Sequence, residues 1–149
     1  MLQLSQHSSF RGAFTFKILL AEDNPGDVRL FCEALESRAL PFDLTVAKDG
    51  EKAIAIVNEV LAARERLDLI VLDVNLPRQK GDEVLRHVRA EPSLRNIPVI
   101  VLTSSSSPAD QEAAAWLGAD HYIRKPSDLE ELMEVAKVIE EVLRPPAQT

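Results

Sequence analysis

The segment Phe16-Lys17-Ile18-Leu19-Leu20-Ala21-Glu22-Asp23-Asn24-Pro25-Gly26-Asp27 decides how the chain is read. Its first six residues predict a strand. Asn24 then supplies a helix cap, and Pro25 fits the first helical position, where its missing N–H has no intrahelical partner to lose. Val28, Phe31 and Leu35 follow at spacings of three and four, the stripe of an amphipathic helix. The unit is a strand that passes through two acids into a helix.

The same unit recurs outward along the chain. Phe42, Leu44 and Val46 alternate as a strand with one wetter face, and Asp49-Gly50 opens a helix striped by Ile54, Val57 and Leu61. Leu69–Leu72 is a continuous apolar run, as expected of a parallel strand buried on both faces. A third helix after Gly81 presents Val84, Leu85 and Val88, and Pro92 stops it. Ile97–Leu102 predicts a fourth strand. Ser107-Pro108 caps a fourth helix that Gly118 ends, and His121–Arg124 is a short fifth strand. Ser127-x-x-Glu130 reads as a capping box for a last helix, with Leu132, Ile139 and Leu143 inward.

Five strands alternating with five helices predict right-handed βαβ units, hence an α/β fold with a parallel sheet. A closed barrel would need about 250 residues, so an open, doubly wound sheet is expected from these 149. Residues 1–15 read as a flexible N-terminal arm, 16–144 as one domain and 145–149 as a frayed tail. The 17 basic and 24 acidic residues set a net charge of −7, which argues against nucleic acid and anionic membrane as partners. No apolar run approaches the roughly 20 residues needed to span a bilayer. A single cysteine, Cys32, excludes an internal disulfide framework and fits a reducing compartment.

In an open parallel sheet, ligands bind outside the carboxyl ends of the strands. The residues after those ends are Glu22-Asp23, Asp73, Thr103-Ser104 and Lys125-Pro126. Three carboxylates together repel one another until a proton or a cation neutralises them. Hard oxygen donors with room for water suit Mg²⁺, with Glu22, Asp23, Asp73 and the Asn75 backbone carbonyl as ligands. The metal and Lys125 would then balance the acids and leave a site for a phosphoryl group, contacted by Thr103, Ser104, Asn75 and Lys125. Asp73 is the natural nucleophile, since aspartyl phosphate is a known intermediate type. A cis Lys125–Pro126 bond is expected to fix the lysine's aim.

Glu22-Asp23-Asn24-Pro25-Gly26-Asp27, Asp73-Val74-Asn75-Leu76-Pro77, Leu102-Thr103-Ser104 and Tyr122-Ile123-Arg124-Lys125-Pro126 together resemble the receiver domain of two-component response regulators. The likeness covers about residues 16–144. It implies a flavodoxin-like sheet in the order 2-1-3-4-5, and a cytoplasmic phosphoprotein whose Asp73 takes phosphate from a sensor histidine kinase with Mg²⁺. It also implies Thr103 and Tyr122 as a coupled switch. Glu22 departs from the more usual Asp. The run 22–30 and Asn75-Leu76-Pro77 further resemble stand-alone regulators that partner bacterial phytochrome kinases. That closer likeness implies a homodimer through the fourth helix, fifth strand and fifth helix.

With about six residues after the last helix, output is expected through protein partners or phosphotransfer, and the domain is expected to catalyse only its own phosphorylation and dephosphorylation. The alternative is an aspartate-nucleophile phosphatase acting on small phosphoesters. It would want an acid where Asn75 stands, and extra chain to cap the substrate. A flavin carrier is disfavoured, because the same three carboxylates repel a flavin's phosphate. His7, His87 and His121 show no metal spacing, and Cys32 reads as a packing residue. Trp116 suits either a core or a dimer face.

Overall fold

The computed structural model describes residues 14–78, 80–105 and 107–144, together with the backbone of 4–7. The chain runs β1 (Leu4–His7), β2 (Phe16–Ala21), α1 (Pro25–Ser37), β3 (Phe42–Ala47), α2 (Gly50–Ala63), β4 (Leu69–Leu72) and α3 (Gly81–Ala90). A 3-10 turn (Pro92–Leu94) leads into β5 (Val99–Thr103), α4 (Pro108–Trp116), β6 (His121–Arg124) and α5 (Leu129–Leu143).

The sheet order is β1-β3-β2-β4-β5-β6. Strands β2 to β6 are parallel and stand in the expected 2-1-3-4-5 order. The sheet has one strand more than expected. Residues 4–7 of the supposed arm pair antiparallel with β3, Leu4 opposite Val46 and His7 opposite Asp43. Leu-Ser-Gln-His carries no apolar alternation, so periodicity cannot find it. Its pairing satisfies the main chain of β3, which would otherwise be an open edge. Phe14 also departs from a free arm: its ring meets Phe16 edge-on at 5.0 Å, and the Arg66 guanidinium stacks 4.7 Å above it. The rest of the arm up to residue 13, and the tail 145–149, lie outside the described residues.

Side chains alternate across the strands, so the sheet buries both faces. Leu19, Ile70, Leu72 and Val99 pack with Val57 of α2 and Val84, Leu85 and Val88 of α3. Ile18, Leu20, Val71 and Ile100 pack with Phe31 and Leu35 of α1 and Val135 and Ile139 of α5. The buried face of α2 is Ala53, Ile56 and Val57, rotated from the expected stripe, and Ile54 and Leu61 are only partly covered. Ala53 is the one fully buried alanine of that helix. Helix α4 buries Ala114 alone, and Trp116 at its end is 90% exposed, which removes the core reading of that residue.

Caps form at Asn24, Asp49 and Ser107, as the sequence indicates. The last cap is shifted by one residue. Asp128, not Ser127, accepts from the Glu131 N–H at 2.8 Å, and the Glu131 carboxylate reaches back to the Ser127 N–H and hydroxyl. Two cap-forming residues stand side by side there, and the earlier one lost.

Candidate functional site

Backbone ladders carry the site residues to one edge. Glu22 N–H donates to Ala47 carbonyl (2.9 Å), Asp73 N–H to Ala21 carbonyl (3.1 Å) and Lys125 N–H to Thr103 carbonyl (2.8 Å). Each strand's pairing therefore continues one residue into the site. Gly81 sits so close behind Asp73 that a Cβ there would lie 2.3 Å from the Asp73 carbonyl oxygen.

The two oxygens of Asp73 have different partners. Oδ1 accepts from the Thr103 hydroxyl (3.1 Å) and the Asn75 N–H (3.0 Å). Oδ2 accepts from Lys125 Nζ at 2.9 Å. That ammonium also meets Glu22 at 2.8 Å and Asp27 at 2.7 Å. Glu22, Asp73 and Thr103 are buried, while Asp23 is exposed. Burial pushes the Glu22 carboxyl up, against the opposing pull of Lys125 and the Asn24 N–H. Burial alone would lower Lys125. Its bonds to Asp27, Glu22 and Asp73 overcome that and hold it above the ordinary lysine range.

Carboxylate oxygens of Glu22, Asp23 and Asp73 all lie within 4.8 Å of one another. With Asp27 they make four carboxylates against one ammonium. This excess of negative charge, carried on hard oxygen donors, fits a divalent cation.

A model of the response regulator receiver domain matches residues 18–137. The chain belongs to the response regulator receiver family. Response regulator Rcp1 of Synechocystis is 36% identical over 125 residues, 83% of this chain and 85% of that protein. The crystal structure of the phosphorylated cyanobacterial phytochrome response regulator RcpA is similar with a TM-score of 0.80 and 37% identity, covering 91% of this chain and 98% of that one. The Mn²⁺-bound form of Rcp1 is similar with a TM-score of 0.77 and 33% identity, covering 90% and 99%. The chain spans 25–50% of the length of several longer curated relatives. No described helix is long and apolar enough to cross a membrane.

This receiver domain gathers Glu22, Asp23, Asp73, Thr103 and Lys125 as the sequence indicates, and it corrects one detail. The described peptide bonds include no cis bond, so Lys125–Pro126 is trans. The lysine takes its aim from three carboxylates instead. Of the loop serines, Ser104 is exposed, and Ser105 is the one tied in: its N–H donates to Thr103 Oγ1 (3.3 Å), its hydroxyl to Asp110 (2.6 Å), and its carbonyl accepts from the Tyr122 hydroxyl (3.2 Å). Asn75 lies exposed beside Asp73.

The motif at 22–27 includes Asp27 without giving it a role. No local pattern marks it: Asp27 stands in the first turn of α1, and its partner Lys125 is 98 positions away. The Ser105–Asp110 contact had no local signal beyond the Ser-Pro cap. Cys32 is half-buried with its thiol pushed up to about 11 by burial and by Glu36 and Glu33, as a packing residue should be. His87 meets the Asn58 side chain at 2.9 Å and His121 is exposed on β6. The His7 side chain lies outside the described residues.

Proposed function

We propose that Asp73 accepts a phosphoryl group from a phosphohistidine of a sensor histidine kinase, in a Mg²⁺-dependent step, and that the receiver switches conformation as a result. The observation that carries this is the division of labour on Asp73. One oxygen is held by the Thr103 hydroxyl and the other by the Lys125 ammonium, beside two further carboxylates.

An Asp73 oxygen attacks phosphorus and the P–N bond breaks. Its electron pair returns to the imidazole, which takes a proton from solvent. Lys125 places positive charge at the phosphoryl oxygens, and Thr103 donates to one of them. Glu22, Asp23, Asp73 and the Asn75 carbonyl would hold Mg²⁺, which when bound supplies further charge neutralisation there. Water later attacks phosphorus, the P–O bond to Asp73 breaks, and inorganic phosphate and a proton leave. The domain thus catalyses only its own phosphorylation and dephosphorylation. Asn75 holds the position where an aspartate-nucleophile phosphatase wants its acid, and it has no proton to offer a leaving group.

Thr103 and Tyr122 both bond the backbone of Ser105, Thr103 accepting from its N–H and Tyr122 donating to its carbonyl, which supports Thr103 and Tyr122 as the switch pair. Exposed Trp116 on α4 supports a homodimer through α4, β6 and α5. Similarity to RcpA and Rcp1 supports a cytoplasmic regulator in a phytochrome pathway, with output through protein partners or phosphotransfer.

The test is intact mass after incubation with Mg²⁺ and acetyl phosphate, beside Asp73→Asn. The wild type should gain one phosphoryl group, lose that gain on chelation of the metal, and the variant should gain none. A normally labelled Asp73→Asn protein overturns the assignment.

A further inference from the structure

Asp27 belongs neither to the carboxylate cluster that fits a cation nor to the phosphoacceptor, yet it makes the shortest contact to the lysine, 2.7 Å against 2.8 Å for Glu22 and 2.9 Å for Asp73. Its backbone is pinned, because the Asn24 side chain accepts from the Gly26 and Asp27 N–H groups. An ammonium has three donors, and these three carboxylates take all of them. Two of the three acceptors have a second duty. Glu22 and Asp73 sit in the cation cluster, and Asp73 is the group that would be esterified. When they change partners, Asp27 alone keeps its claim on the lysine. A flexible four-carbon stem without such an anchor spreads its charge over many positions.

We infer that Asp27 is a positioning residue that anchors the Lys125 ammonium beside Asp73 while Glu22 and Asp73 exchange partners, so that the lysine's charge is already in place for the phosphoryl group. This rests on Asp73 being the phosphoacceptor. The rival account is plain repulsion, in which one more acid in the cleft hinders an anionic donor. The two accounts predict opposite signs.

The experiment follows labelling by acetyl phosphate with Mg²⁺, by intact mass over time and donor concentration. It compares the wild type, Asp27→Ala, Asp27→Asn, Asp27→Glu, Lys125→Gln and the double variant Asp27→Ala/Lys125→Gln. Folding of each is checked by its urea midpoint. Anchoring predicts that Asp27→Ala lowers the limiting rate about fivefold or more, yet changes it by less than about twofold in the Lys125→Gln background. The isosteric Asp27→Asn should fall in the same direction, and Asp27→Glu should recover most of the rate. A rise on removing Asp27 in both backgrounds overturns the inference in favour of repulsion. A full drop that persists without the lysine overturns it in favour of a merely structural role. If the wild type is labelled and Asp27→Ala matches it, only this inference fails. If the wild type takes no phosphoryl group, the phosphoacceptor reading fails and this inference with it.

Discussion

Gly81→Ala tests whether the phosphoacceptor is held by backbone packing. Gly81 opens α3, and alanine in a helix gains about 0.5–1 kcal/mol over glycine on propensity alone. The contact geometry opposes that gain. An added Cβ would meet the Asp73 carbonyl oxygen at 2.3 Å and the Val74 Cα at 2.9 Å. Both are main-chain atoms, so no side chain can swing away, and roughly 1 Å of separation must come from moving α3 or the strand end, at about 1–3 kcal/mol for such overpacking. The net expectation is a loss of about 1–2 kcal/mol after the propensity gain. The displaced atoms belong to Asp73 itself, and a 1 Å misplacement costs on the order of 100-fold in rate. Urea unfolding measures the first effect and the rate of acetyl phosphate labelling measures the second. Gly26→Ala is the control, because its Cβ would meet only the Asn24 side-chain oxygen, at 3.1 Å. Gly81→Ala protein as stable as the wild type and labelled within threefold of its rate would mean that Asp73 is not held by this packing.

Arg89 donates to the carbonyls of Ile97 (2.7 Å) and Gly118 (3.0 Å) and pairs with Asp120 (3.0 Å), so Arg89→Met should cost about 2–4 kcal/mol in urea unfolding with labelling of Asp73 unchanged. Glu22 has a folded pKa raised above its ordinary 4.5, so its ionised form costs stability, and that cost disappears as pH falls through the folded value. Glu22→Gln should therefore be more stable than the metal-free wild type at pH 7, with the gap closing on acidification, as followed by thermal melts from pH 7 to 4.5. With its thiol pushed up from 9.0 to about 11, Cys32 should react with a disulfide reagent at pH 8 about 100-fold more slowly in the native protein than in urea.

Much of this molecule was legible because its signals are local. Asn24-Pro25 and Asp49-Gly50 stop and start helices through their own backbone chemistry, and both caps stand where the sequence put them. Where two local signals compete, the sequence misleads. Ser127 and Asp128 can each cap α5, and in the structure Asp128 does so while Ser127 bonds the Glu131 carboxylate. Leu4–His7 has no apolar pattern at all, and only the open edge of β3 makes it a strand. The buried face of α2 includes Ala53, which a search for large apolar residues passes over, and so it differs from the expected stripe.

The site divides the same way. Acids and a lysine at predicted strand ends sufficed to place Glu22, Asp23, Asp73, Thr103 and Lys125 at one edge, because parallel strands order their carboxyl ends whatever their loops do. The contacts within that edge belong to the tertiary structure. Asp27 and Lys125 lie 98 positions apart, and no periodicity spans such a distance. The Ser105 hydroxyl meets the Asp110 carboxylate at 2.6 Å, a contact between the loop and the first turn of α4 that no sequence pattern announces. Short-range backbone preferences wrote the order of the elements into the sequence. The partners of each charge were decided only when the packed sheet brought distant loops within 3 Å of one another.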